Sequence, residues 1–313
     1  MTDAVIDRAE GPATFSETRS ARDLFGVVDL RAMGSRSDLK GATRFGVHLL
    51  CLSATGTLVW LALPYWPVLV PVMFLHGLAI VTMFAPMHEC VHRTAFNSPR
   101  LNDAVGWVAG VLSFYNSTFY RHYHAWHHRY TQDPARDPEL MYPKAANRRA
   151  YWLEISGVTF WFRRALDYPR LALGETAGLR FVPDSARHAI ALSMSVQLSV
   201  YLACAAAIAM GYTAPLYFWF LPALLGQPVL RAILITEHTG CSQDQNGLSN
   251  TRTTLARFPV RLLMWNMPFH AEHHLFPSVP FHRLPSLHMQ LRGRIAHVAP
   301  SYLATNREIL RSL

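Results

Sequence analysis

The sequence predicts an all-α integral membrane protein, with four transmembrane helices in two hairpins and a cytosolic helical cap that carries histidine clusters. Three observations predict it. The chain is 51% hydrophobic and only 16% charged, yet its formal net charge is +9, a mixture foreign to a single soluble domain. Two long runs, 45–88 and 188–230, contain no Asp, Glu, Lys or Arg, and each is about twice the roughly 20 residues that a bilayer core requires. Three clusters of closely spaced histidines lie at the end of the first run, between the two runs and beyond the second.

Residues 1–43 are polar and read as a cytosolic arm with one short helix near 20–33. The first apolar run gives spans at about 45–63 and 68–87, divided by Pro64-Tyr65-Trp66-Pro67. The second gives spans at about 189–210 and 216–236, divided by Gly211-Tyr212-Thr213-Ala214-Pro215. Both dividing turns lack Lys and Arg, whereas the flanking polar segments hold almost all 29 basic residues. Positive charge stays inside, so both termini and the histidine clusters are expected on the cytosolic side. The basic balance then serves orientation and anionic headgroups, and no nucleic-acid-binding motif is visible.

Residues 103–120 are apolar but short and interrupted by Gly106, Gly110 and Asn116. A crossing there would part the clusters, so a re-entrant or surface-lying helix is expected. Residues 151–166 mix Trp152, Phe160, Trp161 and Phe162 with Arg163 and Arg164, as an interfacial amphipathic helix would. The last cluster is expected on a short helix between Pro268 and Pro277, followed by a basic amphipathic tail at 291–313. The four cysteines, dispersed and without a C-x-x-C, read as free thiols. No early apolar core with a cleavage site suggests a signal peptide.

The chemistry lies in the clusters. His270-Ala271-Glu272-His273-His274 and His124-Ala125-Trp126-His127-His128 share an H-x-x-H-H spacing, and His88-Glu89-Cys90-Val91-His92 supplies an i, i+4 pair. On a helix, positions i, i+3 and i+4 share one face, so each cluster is expected to converge its imidazoles on a metal. His238, where the last span ends, is a ninth candidate ligand. So many ligands exceed what a closed, four-coordinate structural zinc site uses, and they point to two ions with room for an exogenous ligand. Imidazole suits iron, zinc, copper or nickel alike. His48, His76, His188, His282, His288 and His297 are left outside the site.

The order H-x-x-x-H, H-x-x-H-H, H-x-x-H-H, with apolar hairpins around it, resembles the integral-membrane fatty acid desaturase superfamily, which also includes carotenoid ketolases and hydroxylases. The similarity covers about 45–290, and a desaturase-like domain is expected over 44–290. It aligns the first box with His88 and His92, the second with His124, His127 and His128, and the third with His270, His273 and His274. The further histidine that many members carry after the last span falls on His238, and Asp137-Pro138-Glu139-Leu140 matches a segment following the second box.

The resemblance implies a non-haem di-iron centre, with O2 as co-substrate, that inserts a double bond into a lipid acyl chain. A hydroxylase or ketolase reaction on a lipid or other hydrophobic molecule is the alternative. The spacing of the first box and the third box's opening His fit the acyl-lipid, sphingolipid and ketolase-like branches. With no cytochrome b5 haem motif in the sequence, electrons would come from a separate ferredoxin- or reductase-type carrier. Glu89, Asp133, Asp137, Glu237 and Glu272 are candidates for holding ligand rings, since ligand histidines commonly donate their second N–H to a carboxylate. Asn266 is a candidate for reaching a metal-bound water, and Arg231 for holding an acidic headgroup. A rival from another class is a membrane zinc protease using His88-Glu89-Cys90-Val91-His92 as its H-E-x-x-H. It would need an acidic third ligand in a later span, which the second apolar run lacks.

Overall fold

The computed structural model describes residues 30–142 and 144–313, and within them the chain is mainly helical. Most of the arm expected at 1–43, and all but the end of its short helix, lie outside the described residues; the part described is the turn Leu30–Met33. Four stretches are long and apolar enough to cross a membrane: Asp38–Ala62, Trp66–Val91, Asp184–Ala209 and Leu216–Leu234. This is an all-α membrane protein in its bulk.

Helix α1 (Asp38–Ala62) starts earlier than the expected 45, because Ser37 caps it by accepting from Lys40 N and the polar residues behind the cap continue the helix. Helix α2 (Trp66–Val81) bends at Thr82 and Met83 into α3 (Phe84–Val91), which carries His88. The most apolar window of Trp66–Val91 is 61% buried, against 17% in Asp38–Ala62 and in Asp184–Ala209. Trp66–Val91 is therefore the central span, and the other two turn most of their surface outward. Leu50 and Trp60 of α1 are exposed accordingly.

The two histidines of the first hairpin each find hydrogen bonds on neighbouring elements, as an apolar solvent favours. His48 Nε2 meets Ala79 O at 2.9 Å, and His76 joins Thr55 Oγ1 at 2.7 Å and Phe218 O at 3.0 Å.

Residues 103–120, expected as a single helix, form parts of two. Helix α4 (Pro99–Ser113) ends at Phe114 in the left-handed region, and α5 (Ser117–Arg129) restarts on an Asn116 cap. Likewise 151–166 is broken by Gly157 (φ 77°) between α6 (Arg148–Ile155) and α7 (Val158–Ala172). Helix α8 (Arg187–Ala209) packs mainly on α7, while α9 (Leu221–Leu234), entered through the π-helical turn Leu216–Phe220, packs on α2. That crossing is made by glycine against glycine. A Cβ on Gly77 would lie 2.0 Å from Pro222 O, and one on Gly226 would lie 2.5 Å from the Gly77 carbonyl carbon.

Beyond α9 come strand β1 (Arg252–Thr254), α10 (Phe258–Leu263), α11 (His270–Leu275), α12 (Leu284–Leu291), strand β2 (His297–Ala299) and α13 (Tyr302–Ser312). The parallel pairing of β1 with β2 is absent from the sequence-based expectation, since three-residue strands leave no periodic signal. It ties residues 297–299 back beside the third histidine box, and α13 is fixed to α9 by Asn306 Nδ2 donating to Ala232 O at 2.9 Å. All four cysteines are free.

Gly77→Leu is expected to overpack the α2–α9 crossing and cost about 1–3 kcal/mol or more. Gly46→Ala, where nothing lies within 4 Å of the added carbon, should leave thermal stability in detergent unchanged; equal melting of both variants would contradict this packing.

Candidate metal centre

The histidine boxes sit on α3, α5 and α11, with His238 on the turn after α9. Their nine imidazoles are brought together, nearly all of them buried. They do not form one convergent set per box. His88, His92, His124, His128 and His273 place ligand nitrogens all within 4.8 Å of one another, and His127, His238 and His274 do the same in a second group. His270 adjoins the second group, its Nε2 3.3 Å from His238 Nε2. The groups touch where the His128 and His274 rings stack at 4.1 Å.

Helical geometry explains the division. At 100° per residue, i and i+4 lie about 40° apart, whereas i+3 lies about 60° to the other side of i. In the second box His124 and His128 face one group and His127 the other; in the third box His270 and His274 face the second group and His273 the first. The expectation that i, i+3 and i+4 meet at one point is corrected to i with i+4, and i+3 apart.

Nitrogen faces nitrogen throughout. His128 Nε2 is 2.9 Å from His124 Nε2 and 3.2 Å from His273 Nε2, and His127 Nε2 is 3.2 Å from His238 Nε2. A metal–imidazole bond of about 2.0–2.1 Å puts neighbouring donors about 2.9–3.4 Å apart at angles of roughly 90–110°. The observed spacings are those of ligands around a shared cation. His238 Nδ1 meets the Asn250 carbonyl at 3.2 Å, so that nitrogen bears the proton and Nε2 presents its lone pair. Thr131 gives its proton to His127 O at 2.8 Å and accepts from His274 Nδ1 at 3.2 Å, which frees His274 Nε2. The buried nitrogens His88 Nε2, His92 Nε2 and His274 Nε2 have no protein partner. One hydrogen-bonding proton cannot serve several converging lone pairs; a metal can.

The electrostatics agree. Burial pulls His92 and His238 down to about 3, with Arg121 and His127 adding to the first and His127 to the second. Burial and neighbouring imidazoles likewise lower His124, His128, His270, His273 and His274. Ligand imidazoles must be neutral, and these are. His127 runs the other way: burial lowers it, but the Glu139 and Asp137 carboxylates outweigh that and hold it above its ordinary value.

Asp137 is the clearest positioning group. Its Oδ1 is 2.9 Å from His127 Nδ1, and it also accepts from Gln132 N at 2.8 Å and Glu139 N at 2.9 Å. Glu237 Oε2 lies 3.5 Å from His270 Nε2. The other carboxylates proposed from the sequence, Glu89, Glu272 and Asp133, reach no box histidine. Glu89 accepts from Phe281 N at 2.8 Å, Glu272 takes the Thr253 hydroxyl and His288, and Asp133 pairs with Arg136. Asn266 is a left-handed turn residue whose amide donates to Phe281 O at 3.0 Å. Arg231 binds the Tyr115 hydroxyl.

Several contributors escaped the sequence reading. Glu139 lies within ligand distance of His124 in one group and His127 in the other; its place in Asp137-Pro138-Glu139-Leu140 was the available signal. Gln132, at φ 64°, links Asp137 to the His238 carbonyl, and Lys144 donates to it at 2.7 Å. Nothing in the local sequence announces either one.

A cavity of about 850 Å³ opens beside His88, His124, His238 and His270, walled by Phe84, Tyr115, Tyr120, Tyr123 and Phe160 and by the α6–α7 segment. Residues 52–306 match the fatty acid desaturase family model. The chain belongs to the fatty acid desaturase family. This desaturase-family chain is 24% identical, over 87% of its length and 82% of the relative's, to an sn-1 oleoyl-lipid 12-desaturase of Picosynechococcus sp.. It is 26% identical to the dihydrorhizobitoxine desaturase of Bradyrhizobium elkanii, over 83% and 77% of the two chains. With a putative sphingolipid delta(4)-desaturase/C4-monooxygenase of Caenorhabditis elegans it shares 25% identity, over 68% and 56%. The protein is thus a membrane oxidoreductase of the desaturase superfamily, and its histidine groups fit metal binding.

Two outcomes are expected. Asp137→Asn should leave the fold intact and weaken metal retention by about 10–100-fold, read by titrating metal from the purified protein with a chelator. In metal-free protein, His92 and His238 stay neutral to about pH 3, whereas the unfolded chain takes up protons below about 6.5. Stability should therefore fall as pH drops from about 6.5 towards 3. His238→Gln should flatten that slope in thermal melts; an unchanged slope would contradict the assignment.

Proposed function

We propose that this protein is an O2-dependent di-iron oxidoreductase that inserts a double bond into the acyl chain of a lipid. The single observation that carries the reading is the pair of adjacent imidazole groups facing one large, mostly apolar cavity. In this reading His88, His92, His124, His128 and His273 hold one ion, and His127, His238, His270 and His274 hold the other. When bound, the irons supply the oxidising power that hydrogen removal from an unactivated methylene demands and that no side chain has.

The chain's own residues do the rest. Asp137 orients His127 and favours the tautomer that leaves Nε2 free. Thr131 and the Asn250 carbonyl do the same for His274 and His238. Phe84, Tyr120 and Phe160 shape an apolar wall that fixes which carbon faces the histidines and keeps bulk water away. Glu139 and Glu237, at the cavity edge beside His127 and His270, are placed to hold or pass a proton.

The topology we propose follows the charge pattern: two hairpins, with N-terminus, C-terminus and site on the cytosolic side, where a ferredoxin- or reductase-type donor has access. The desaturase domain runs over 44–290, preceded by a cytosolic arm and followed by the C-terminal segment. A hydroxylase-type monooxygenase is the second reading, favoured by the name of the sphingolipid relative, which joins desaturase with C4-monooxygenase. The zinc-protease reading has less support: Glu89, its required base, turns one oxygen to Phe281 N and touches no box histidine, and His88 and His92 are gathered with three further imidazoles.

Lipid and metabolite profiling of a host expressing wild type beside His274→Ala, under 18O2, tests the reaction. A new double bond without label is the expected result, and incorporated label would transfer the protein to the monooxygenase reading. About two irons per wild-type chain are expected, and about one in His128→Ala or His274→Ala. Zinc alone, with neither product, would overturn both readings.

A further inference from the structure

Two arginines in the cavity wall are not accounted for by the metal centre. Arg164 of α7 and Arg231 of α9 both lie against the Phe160 ring, their guanidinium carbons 4.7 and 4.9 Å from its centroid. Arg164 also covers Tyr115 at 4.7 Å, and Arg231 donates to the Tyr115 hydroxyl. Both line the cavity. Among the described residues neither has a carboxylate within 4 Å, Asp167 on Arg164's own helix included. The cavity's Glu139 and Glu237 are turned to His127 and His270 instead.

The hydrogen-bonding capacity is also unspent. Arg164 uses Nε on the Phe114 carbonyl at 3.1 Å, and its two terminal amines make no hydrogen bond among the described residues. Arg231 Nε is buried with no partner. Aromatic faces attract a guanidinium, but they accept no fork of hydrogen bonds and cancel no charge. Asp167 acts on Arg164, and Glu139 and Glu237 act on Arg231, only from beyond ion-pair distance, so neither guanidinium has a carboxylate seated on its donors. Planar donor forks match the oxygens of a carboxylate or phosphate.

We infer that Arg164 and Arg231 form a binding site for an acidic oxyanion, carboxylate or phosphate, carried by the substrate. The inference rests on the reading of this cavity as the substrate chamber and narrows the substrate to an amphiphile whose acidic group enters with it. The site is close to the histidines: Tyr115 touches Phe84 at 4.8 Å and Tyr120 at 5.7 Å, and these rings touch His88 at 5.7 and 6.3 Å. The anchored group therefore sets the register of the chain from its polar end.

The test measures binding, with no turnover required. Oleate, oleyl phosphate and oleyl alcohol are titrated onto the full-length protein in nanodiscs, each corrected for partition into empty nanodiscs. At least one anionic probe is expected to bind ten-fold or more tightly than the alcohol; preference for oleate identifies a carboxylate and preference for oleyl phosphate a phosphate. Arg164→Gln and Arg231→Gln should each erase most of that preference while alcohol binding is retained, and Arg231→Lys should keep part of it. Equal binding of all three probes by wild type overturns the proposal without any variant, as does a preference that survives both glutamine substitutions. Since no product is read, failure of the desaturation reading in the labelled-oxygen experiment leaves this result standing, and the reverse holds too.

Discussion

Lone pairs that face each other in a buried space repel unless something positive lies between them, and this protein is organised around nine imidazoles in that condition. Each is carried by an element that the rest of the fold holds still. The bend after α2 turns α3 so that His88 and His92 meet α5. The glycine crossing of α2 with α9 brings His238 alongside, since α9 ends just before it. The strand pair and α12 grip the one-turn helix α11, through Thr253 and His288 on Glu272. A six-residue helix has too few internal hydrogen bonds to be stable by itself, so its position is a gift of tertiary contacts.

Much of this was legible in the chain. Charge-free runs of twice membrane length mark the four apolar helices, because a bilayer tolerates no unpaired charge. Histidine spacing marked eight of the nine imidazoles, since a helix converts i, i+3 and i+4 into neighbours, and the place after the last span marked His238. What escaped was of two kinds. The division of each triplet between two groups depends on the angle between i+3 and i+4, and that matters only once a second helix fixes where each face looks. Gln132, Lys144 and Glu139 work through contacts that fold back from the loop after α5, and a loop has no period from which to read such contacts.

The carboxylates show the same limit more sharply. Proximity in sequence suggested Glu89 and Glu272 as supports for the histidines next to them, but adjacent residues on a helix point about 100° apart. Glu89 looks away to the backbone at Phe281 and Glu272 to His288, so both brace the scaffold. Asp137, ten residues beyond His127, reaches it because the intervening turn closes back on α5 through Tyr130 and Asp133.

Because α5 and α11 each send donors to both groups, the distance between the two groups is written into helical pitch. It does not depend on how two separate domains or flexible loops happen to meet. A helix that turned slightly about its own axis would draw one set of nitrogens inward while withdrawing the other, so the pair works as a coupled gauge whose two readings cannot drift independently. Such an arrangement suits metal binding that what enters the chamber beside it must not disturb.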